Sequence, residues 1–301
     1  MARIGFIFPG QGAQKNGMSR DFYEQLPECR AIMDMASEAT GLDLKKICFD
    51  ADERLDQTEY TQVALLTAEL MVLEAVKQRV HADLLAGQSL GEYAALVASG
   101  SMSAQDAVKI VRQRGILMQN AVPLGEGAMV AIVGLNAEQI EAMCRETGGE
   151  VQVSNYNTAK QSVVSGRRDA VMCVKRMAEE AGARLATELK VSIPSHSQLM
   201  RPAAEKLEPV LQQTAFQPIQ IPYIANATAE VVTDEKRIAS LLVEQLYSAV
   251  RWEQSIMRMK EAGIECLIEI GPGETLTKMN KKIDKTIRAI SISSVEDLEK
   301  L

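Results

Sequence analysis

Histidine is almost missing from this chain: its 301 residues include two, His81 and His196. Any chemistry that needs an imidazole must come from one of them. Cysteine is sparse too. The five residues (Cys29, Cys48, Cys144, Cys173 and Cys266) are scattered, odd in number and never spaced as C-x-x-C. That speaks against a disulfide framework and for reduced cytosolic thiols. With so few histidines it also leaves no ligand cluster, so no metal is expected. No apolar run approaches the roughly 18 residues of a spanning helix, so no membrane segment is expected. The start, MARIGFIFPGQGAQ, has one basic residue and an apolar run that stops at Pro9-Gly10, too short for a secretory leader, and it reads as a first buried strand. There is no long basic run, and Lys plus Arg (33) against Asp plus Glu (40) leaves a net charge of −7, which disfavours nucleic acid as a ligand. A cytoplasmic protein, monomeric by default, is expected. Internal repeats and low-complexity tracts are absent as well.

What the chain does have is Leu84-Leu85-Ala86-Gly87-Gln88-Ser89-Leu90-Gly91-Glu92-Tyr93, an apolar strand end, a tight turn and a helix running to about Ala98. A serine with glycines at −2 and +2 in this setting is a nucleophile elbow. The turn forces the serine into a strained backbone conformation, so its flanking positions must lack side chains. The hydroxyl then stands at a helix N-terminus, where backbone N–H groups favour a developing oxyanion. Such a serine needs a base. His81 precedes the elbow strand and reads as a surface loop residue, which leaves His196, at a strand-to-helix junction, as the activator. The G-x-G pair Gly10-Gln11-Gly12 after the first strand lacks the third glycine of a dinucleotide fingerprint, because position 15 is Lys15.

With 47% hydrophobic residues the chain can bury a large core. Strands are expected at 4–8, 84–87, 222–225, 266–270 and 287–292, with an amphipathic helix and a short loop over 20–48 and helices over 61–79, 103–118, 197–213, 235–247 and 252–262. Alternating strands and helices of this kind argue for a mostly parallel sheet covered on both faces. Beyond Pro123-Leu124-Gly125-Glu126-Gly127 the order becomes βαββαβ, the split pattern of a ferredoxin-like unit. The expected organisation is a large α/β subdomain (1–124 and 193–301) interrupted by an inserted ferredoxin-like one (125–192).

Five motifs then carry a resemblance across essentially the whole chain: FPGQGAQ, GQSLGEYAAL, VRQRGILMQNAVP, VSIPSH and LYSAVRW…EIGPG. In this order and spacing the sequence resembles the malonyl-CoA:acyl carrier protein transacylase family of bacterial type II fatty acid synthesis. The resemblance implies an α/β-hydrolase-like large subdomain. It also implies a ping-pong transfer in which Ser89 is acylated by malonyl-CoA with His196 as base, coenzyme A leaves, and the malonyl group passes to the phosphopantetheine thiol of acyl carrier protein. No bound cofactor is implied. By the same resemblance the N–H groups of Gln11 and Leu90 form the oxyanion hole, the backbone carbonyl of Gln245 orients His196, and Asn155 lies beside the site. Arg114 is implied to bind the malonyl carboxylate; a charge-assisted pair of this kind contributes on the order of 1.5–3 kcal/mol. The family commonly has histidine before the nucleophile, where this chain has Gln88, which can donate a hydrogen bond but cannot titrate.

Three other readings stay open: loading of polyketide synthase carriers, hydrolysis of an acyl thioester, and docking of a carrier without chemistry. Arg114 argues against the second, and the set Ser89, His196 and Gln11 against the third. An acidic carrier would dock on a basic patch, either Lys190 with Arg201 or the run Lys278, Lys281, Lys282 and Lys285.

Overall fold

The computed structural model describes residues 2–191 and 193–301. Ser192, the expected last residue of the insertion, lies outside the described residues. Strand β1 (Ile4–Phe8) leads to three short helices, α1 (Arg20–Gln25), α2 (Pro27–Thr40) and α3 (Leu44–Phe49). One amphipathic helix and a short loop are expected over 20–48. Pro27 instead starts a new helix in the first turn, where its missing N–H costs nothing. Gly41 ends that helix with φ +67°. Helix α4 (Thr58–Val76) is buried on nearly every face and packs against α2 and the helix at Ala104–Gln119. Strand β2 (Leu84–Gly87) then runs into helix α5 (Gly91–Ala98), and α6 (Ala104–Gln119) follows with Ser103 as its N-cap, the hydroxyl accepting from the Asp106 N–H.

Next come β3 (Gly127–Val133), α7 (Ala137–Thr147), β4 (Val151–Thr158), β5 (Gln161–Arg167), α8 (Arg168–Glu180) and β6 (Leu185–Glu188). Their strands form one antiparallel sheet ordered β4-β5-β3-β6, the ferredoxin-like arrangement, with its own apolar core around Val130, Ile132, Val164 and Val171. We propose 125–192 as the inserted subdomain, because every element of this sheet falls between Gly127 and Glu188.

The chain returns through α9 (Arg201–Gln213), β7 (Tyr223–Ile224), β8 (Val231–Val232), α10 (Ile238–Tyr247), α11 (Trp252–Glu261), β9 (Cys266–Ile270), α12 (Thr275–Ile283) and β10 (Arg288–Ile292). The large sheet is ordered β10-β9-β1-β2-β7-β8 and is parallel except for the β7–β8 hairpin. The two-residue β8 and helix α12 have no counterpart among the expected elements; β8 is too short to carry a period.

Parallel strands place all their carboxyl ends on one edge of the sheet, and ligands gather there. Gln11 follows β1, Ser89 follows β2, Asn226 follows β7 and Thr275 follows β9, so four separate turns meet at one place. The turn after β2 is the tightest. A Cβ on Gly87 would lie 1.9 Å from the Gly91 carbonyl carbon, and a Cβ on Gly91 would lie 2.3 Å from the Phe8 carbonyl oxygen. These neighbours are backbone and cannot swing aside. Gly91→Ala should therefore destabilise the chain by about 3 kcal/mol or prevent folding, read as a fall in the urea midpoint with the m-value retained. A midpoint equal to that of the parent chain would show that strand and helix can separate there.

Candidate active site

Ser89 sits at φ +54°, in the left-handed region that non-glycine residues avoid. Two buried residues hold it. Asn226 Oδ1 accepts from the Ser89 N–H at 2.6 Å while its Nδ2 donates to the Gly87 carbonyl at 2.6 Å. Gln245 Nε2 donates to the Ser89 carbonyl at 2.9 Å. The hydroxyl is thereby aimed at His196, whose Nε2 lies 2.7 Å from Ser89 Oγ. His196 has φ +58° itself, and its Nδ1 lies 2.7 Å from the Gln245 carbonyl oxygen. A carbonyl can only accept, so Nδ1 carries the proton and Nε2 is left free to accept from the serine. Burial, and after it the nearby Arg114 charge, lowers the imidazole's pKa to about 4, against the opposing bonds from the backbone at Gln245 and Ser248. Above that value the ring is neutral, the state a base needs.

Arg114 comes from α6 and is fully buried. Its Nη1 donates to Gln62 Oε1 at 2.6 Å, and its Nη2 to Gln245 Oε1 at 2.9 Å and Ser89 Oγ at 3.3 Å. The Tyr93 ring faces it with the centroid 5.6 Å away. Every acceptor here is neutral, and burial pulls the guanidinium pKa below its ordinary value. A buried cation that touches the serine hydroxyl and bonds no carboxylate can accept an anionic group.

In front of these residues opens a cleft of about 250 Å³, floored by Ser89 and His196. Gln11 lines it, with its side chain tied to Thr58 and Gln62. Leu90 is buried at the start of α5. Among the described residues neither the Gln11 N–H nor the Leu90 N–H donates a hydrogen bond. Thr275 and Met279 of α12 close one side. That helix is moored by Glu269, which accepts from the Leu276 and Thr277 N–H groups at 3.0 and 2.7 Å. Met129 and Val163 of the inserted sheet form the opposite wall. The insertion is stitched to the base: Gln152 Nε2 donates to the His196 carbonyl at 3.0 Å, and β4 bridges Val250 at Asn155.

Asn155 lines the cleft, but its side chain is held by Ser154. The residue that reaches across is Asn157, whose Oδ1 accepts from Gln88 Nε2 at 3.0 Å. Gln62, Glu92, Asn157 and Asn226 thus belong to the site without having been singled out as candidates. Asn226 carries no local signal, since one asparagine after a strand resembles any turn residue. His81 is exposed before β2, at the opposite end of that strand from Ser89. Among the described residues no group of three or more His, Cys, Asp or Glu is placed to hold a metal ion.

Fold and geometry together define the class, an acyltransferase on an α/β-hydrolase-like sheet. Residues 5–298 match the acyl transferase domain family. Relatives include the malonyl CoA-acyl carrier protein transacylases of Bacillus subtilis, 44% identical over 99% of this chain and 96% of that protein, and of Escherichia coli K12, 39% identical over 97% and 96%. An acyl carrier protein S-malonyltransferase from Vibrio cholerae superimposes with a TM-score of 0.96 at 41% identity over 99% of both chains. A malonyl-transacylase solved in complex with a type II polyketide synthase acyl carrier protein gives 0.97 at 37%, over 99% of this chain and 98% of that one. This chain belongs to the malonyl CoA-acyl carrier protein transacylase family.

The state of His196 can be checked directly. Its folded pKa lies below the free value of 6.5, so its contribution to stability is complete above 6.5 and is lost as pH falls through about 4. The effect is on the order of 3 kcal/mol. Nitrogen-15 NMR should show a neutral Nδ1–H imidazole at pH 6. The stability gap between the parent chain and His196→Gln should shrink as pH is lowered from 6.5 to 4. An imidazole titrating near 6.5 would contradict the buried geometry.

Proposed function

We propose that the protein transfers the malonyl group of malonyl-CoA to the phosphopantetheine thiol of acyl carrier protein, supplying fatty acid synthesis. The observation that carries this reading is the buried Arg114 guanidinium 3.3 Å from the hydroxyl of a serine that is itself 2.7 Å from a histidine nitrogen. The names of the relatives point the same way.

In this reading Ser89 Oγ attacks the thioester carbonyl as His196 Nε2 takes its proton. The oxygen–carbon bond forms, the carbon–sulfur bond breaks, and the imidazolium returns the proton to the departing coenzyme A sulfur. The carrier thiol then gives its proton to His196 and attacks the seryl ester, regenerating Ser89. The N–H groups of Gln11 and Leu90 face the carbonyl oxygen in both halves, where each donor contributes on the order of 3 kcal/mol. Arg114 binds the distal carboxylate bidentately. An acetyl group would leave that guanidinium with no carboxylate to bond, so neutral acyl groups are rejected. A cytoplasmic location and the absence of a bound cofactor belong to the same reading, to which five cysteines free of disulfides lend support.

Intact-protein mass after brief mixing with malonyl-CoA tests it. The parent chain should gain one malonyl group and pass it to phosphopantetheinylated carrier protein, and Ser89→Ala should gain none. Arg114→Ala should lose roughly 100-fold or more in kcat/KM for malonyl-CoA, in line with the ~2–5 kcal/mol cost of breaking a buried charge pair, and should accept acetyl groups. Free malonate without a persistent adduct would favour a hydrolase. The reading fails if the parent chain neither labels nor releases coenzyme A.

The carrier's docking face is part of the proposal. Exposed Lys190 adjoins cleft residues Leu189 and Val191, and exposed Arg201 stacks on Tyr247 with its guanidinium carbon 4.2 Å from the ring centroid. The alternative run lies at the solvent face and end of α12, with Lys278 paired to Glu274. Reversing both charges, Lys190→Glu with Arg201→Glu, should raise the KM for carrier protein about 10-fold at low salt, with the KM for malonyl-CoA retained. An unaltered carrier KM would move the docking face to α12.

A further inference from the structure

Among the described residues Glu92 is the one carboxylate that acts on the guanidinium, and its surroundings give it more than a packing role. It is fully buried on α5, three residues after the serine. Its Oε2 accepts from Gln245 Nε2 at 2.8 Å and from the Asn226 N–H at 3.2 Å. The same Gln245 amide presents its Oε1 to Arg114 at 2.9 Å, and the same residue's carbonyl holds His196. A glutamine amide has one accepting and one donating end. The carboxylate fixes the donating end, and so decides that the accepting end faces the guanidinium.

Resting on the function proposed above, we propose that Glu92 is a positioning residue and the internal counter-ion of Arg114, linked to it through the Gln245 amide, and that its negative charge competes with the substrate's malonyl carboxylate for the guanidinium. When Glu92 is ionised the buried pair is neutral overall, and a malonyl carboxylate brings an uncompensated negative charge. When Glu92 is protonated the buried cation is unbalanced and the same carboxylate neutralises it. Occupancy of the clamp and protonation of Glu92 are then linked, each favouring the other.

The groups that interact electrostatically with Glu92 are Arg114 from α6, Tyr93 from its own helix and Tyr223 from β7. Burial raises the carboxyl to about 7, against the bonds from Gln245 and Asn226 and the charge of Arg114. The two tyrosines are pushed upward and stay neutral near pH 7. His196 lies on the other side of the guanidinium and is lowered to about 4. Across pH 6 to 8, therefore, Glu92 is the group of this cluster whose charge changes. Among the described residues its Oε1 has no hydrogen-bond partner, so an amide at that position would retain both existing bonds.

The test uses the full chain and malonyl-N-acetylcysteamine, a thioester without the phosphates of coenzyme A, so that the malonyl carboxylate is the probe's one charged group. Rates of malonyl-enzyme formation are read by intact mass between pH 6 and 8. The parent chain should show half-saturation rising about 10-fold over that range, as ionisation of a group titrating near 7 closes the clamp. Glu92→Gln should show low half-saturation independent of pH. A purely structural role would instead lower kcat at every pH and leave the pH dependence in place, which would overturn the proposal. Equal half-saturation at pH 6 and pH 8 in the parent chain would overturn it without any variant, so poor folding of Glu92→Gln does not rescue it. If the parent chain takes no malonyl group at all, the proposed function fails and this inference falls with it.

Discussion

Ser89 occupies a backbone conformation that costs a residue with a side chain about 1–2 kcal/mol, and the elbow exists only because its surroundings forbid relaxation. Gly87 and Gly91 approach so closely that no side chain fits between strand and helix. Asn226 grips the peptide from one side and Gln245 from the other. Gln245 is the more consequential of the two. One residue of α10 restrains the Ser89 carbonyl, receives the Arg114 guanidinium, donates to Glu92 and, through its own carbonyl, sets the tautomer of His196. The proposed nucleophile, base and anion receptor therefore share one rigid reference point. A small shift in α10 would disturb all three at once.

Packing explains why α10 can serve that purpose. It lies against α9 and buries Leu241, Leu242 and Leu246 in the main core, so its register along the sheet edge is set by aliphatic contacts rather than by the polar groups it carries. The bonds that join Gln245 to Arg114, Glu92 and His196 are then buried, where each is stronger than it would be in water. The inserted sheet contributes from outside. Its strand β4 is fastened to the His196 loop and to Val250, and its apolar face closes the cleft over the serine. In the proposed mechanism that roof would shield a seryl ester from water until a thiol on a long arm reached it, which favours transfer over hydrolysis.

The sequence makes legible the parts of this site that local chemistry constrains. A serine between two glycines after an apolar strand has few other uses, and a chain with two histidines leaves little choice of base. The βαββαβ order of the insertion is visible because each strand alternates and each helix repeats with its own period. Other parts leave no such trace. Arg112 and Arg114 stand two apart on α6, and spacing alone cannot tell that Arg112 meets Glu59 at the surface while Arg114 points inward at Gln62. Asn226 and Asn157 act through contacts spanning 137 and 69 residues, which no window along the chain can reveal. The break of 20–48 into three helices was marked by Pro27 and Gly41, and the amphipathic period across them masks it. Asn155 lines the cleft, but that Asn157, two residues on, is the one that meets Gln88 leaves no trace in the sequence, because bulges in β4 at 153–155 and 156–158 shift the register there.

The use of a carbonyl, rather than a carboxylate, behind His196 follows from the same electrostatics. An aspartate at that position would stabilise the imidazolium and strengthen the base. It would also place a full negative charge beside a cleft that is to admit a malonyl carboxylate, and it would offer Arg114 a permanent partner. The Gln245 carbonyl fixes the same tautomer with a dipole only, and leaves the guanidinium bonded to neutral oxygens of Gln62 and Gln245. The buried acid that does exist, Glu92, is set behind the glutamine amide, where it can balance Arg114 without touching the histidine. In the proposed transfer a weaker base suffices, because a thiolate leaves without the protonation that an amine needs. An enzyme that must bind an anion next to its base is thus better served by a neutral orienting group, and the fold supplies one from a helix already fixed by its core.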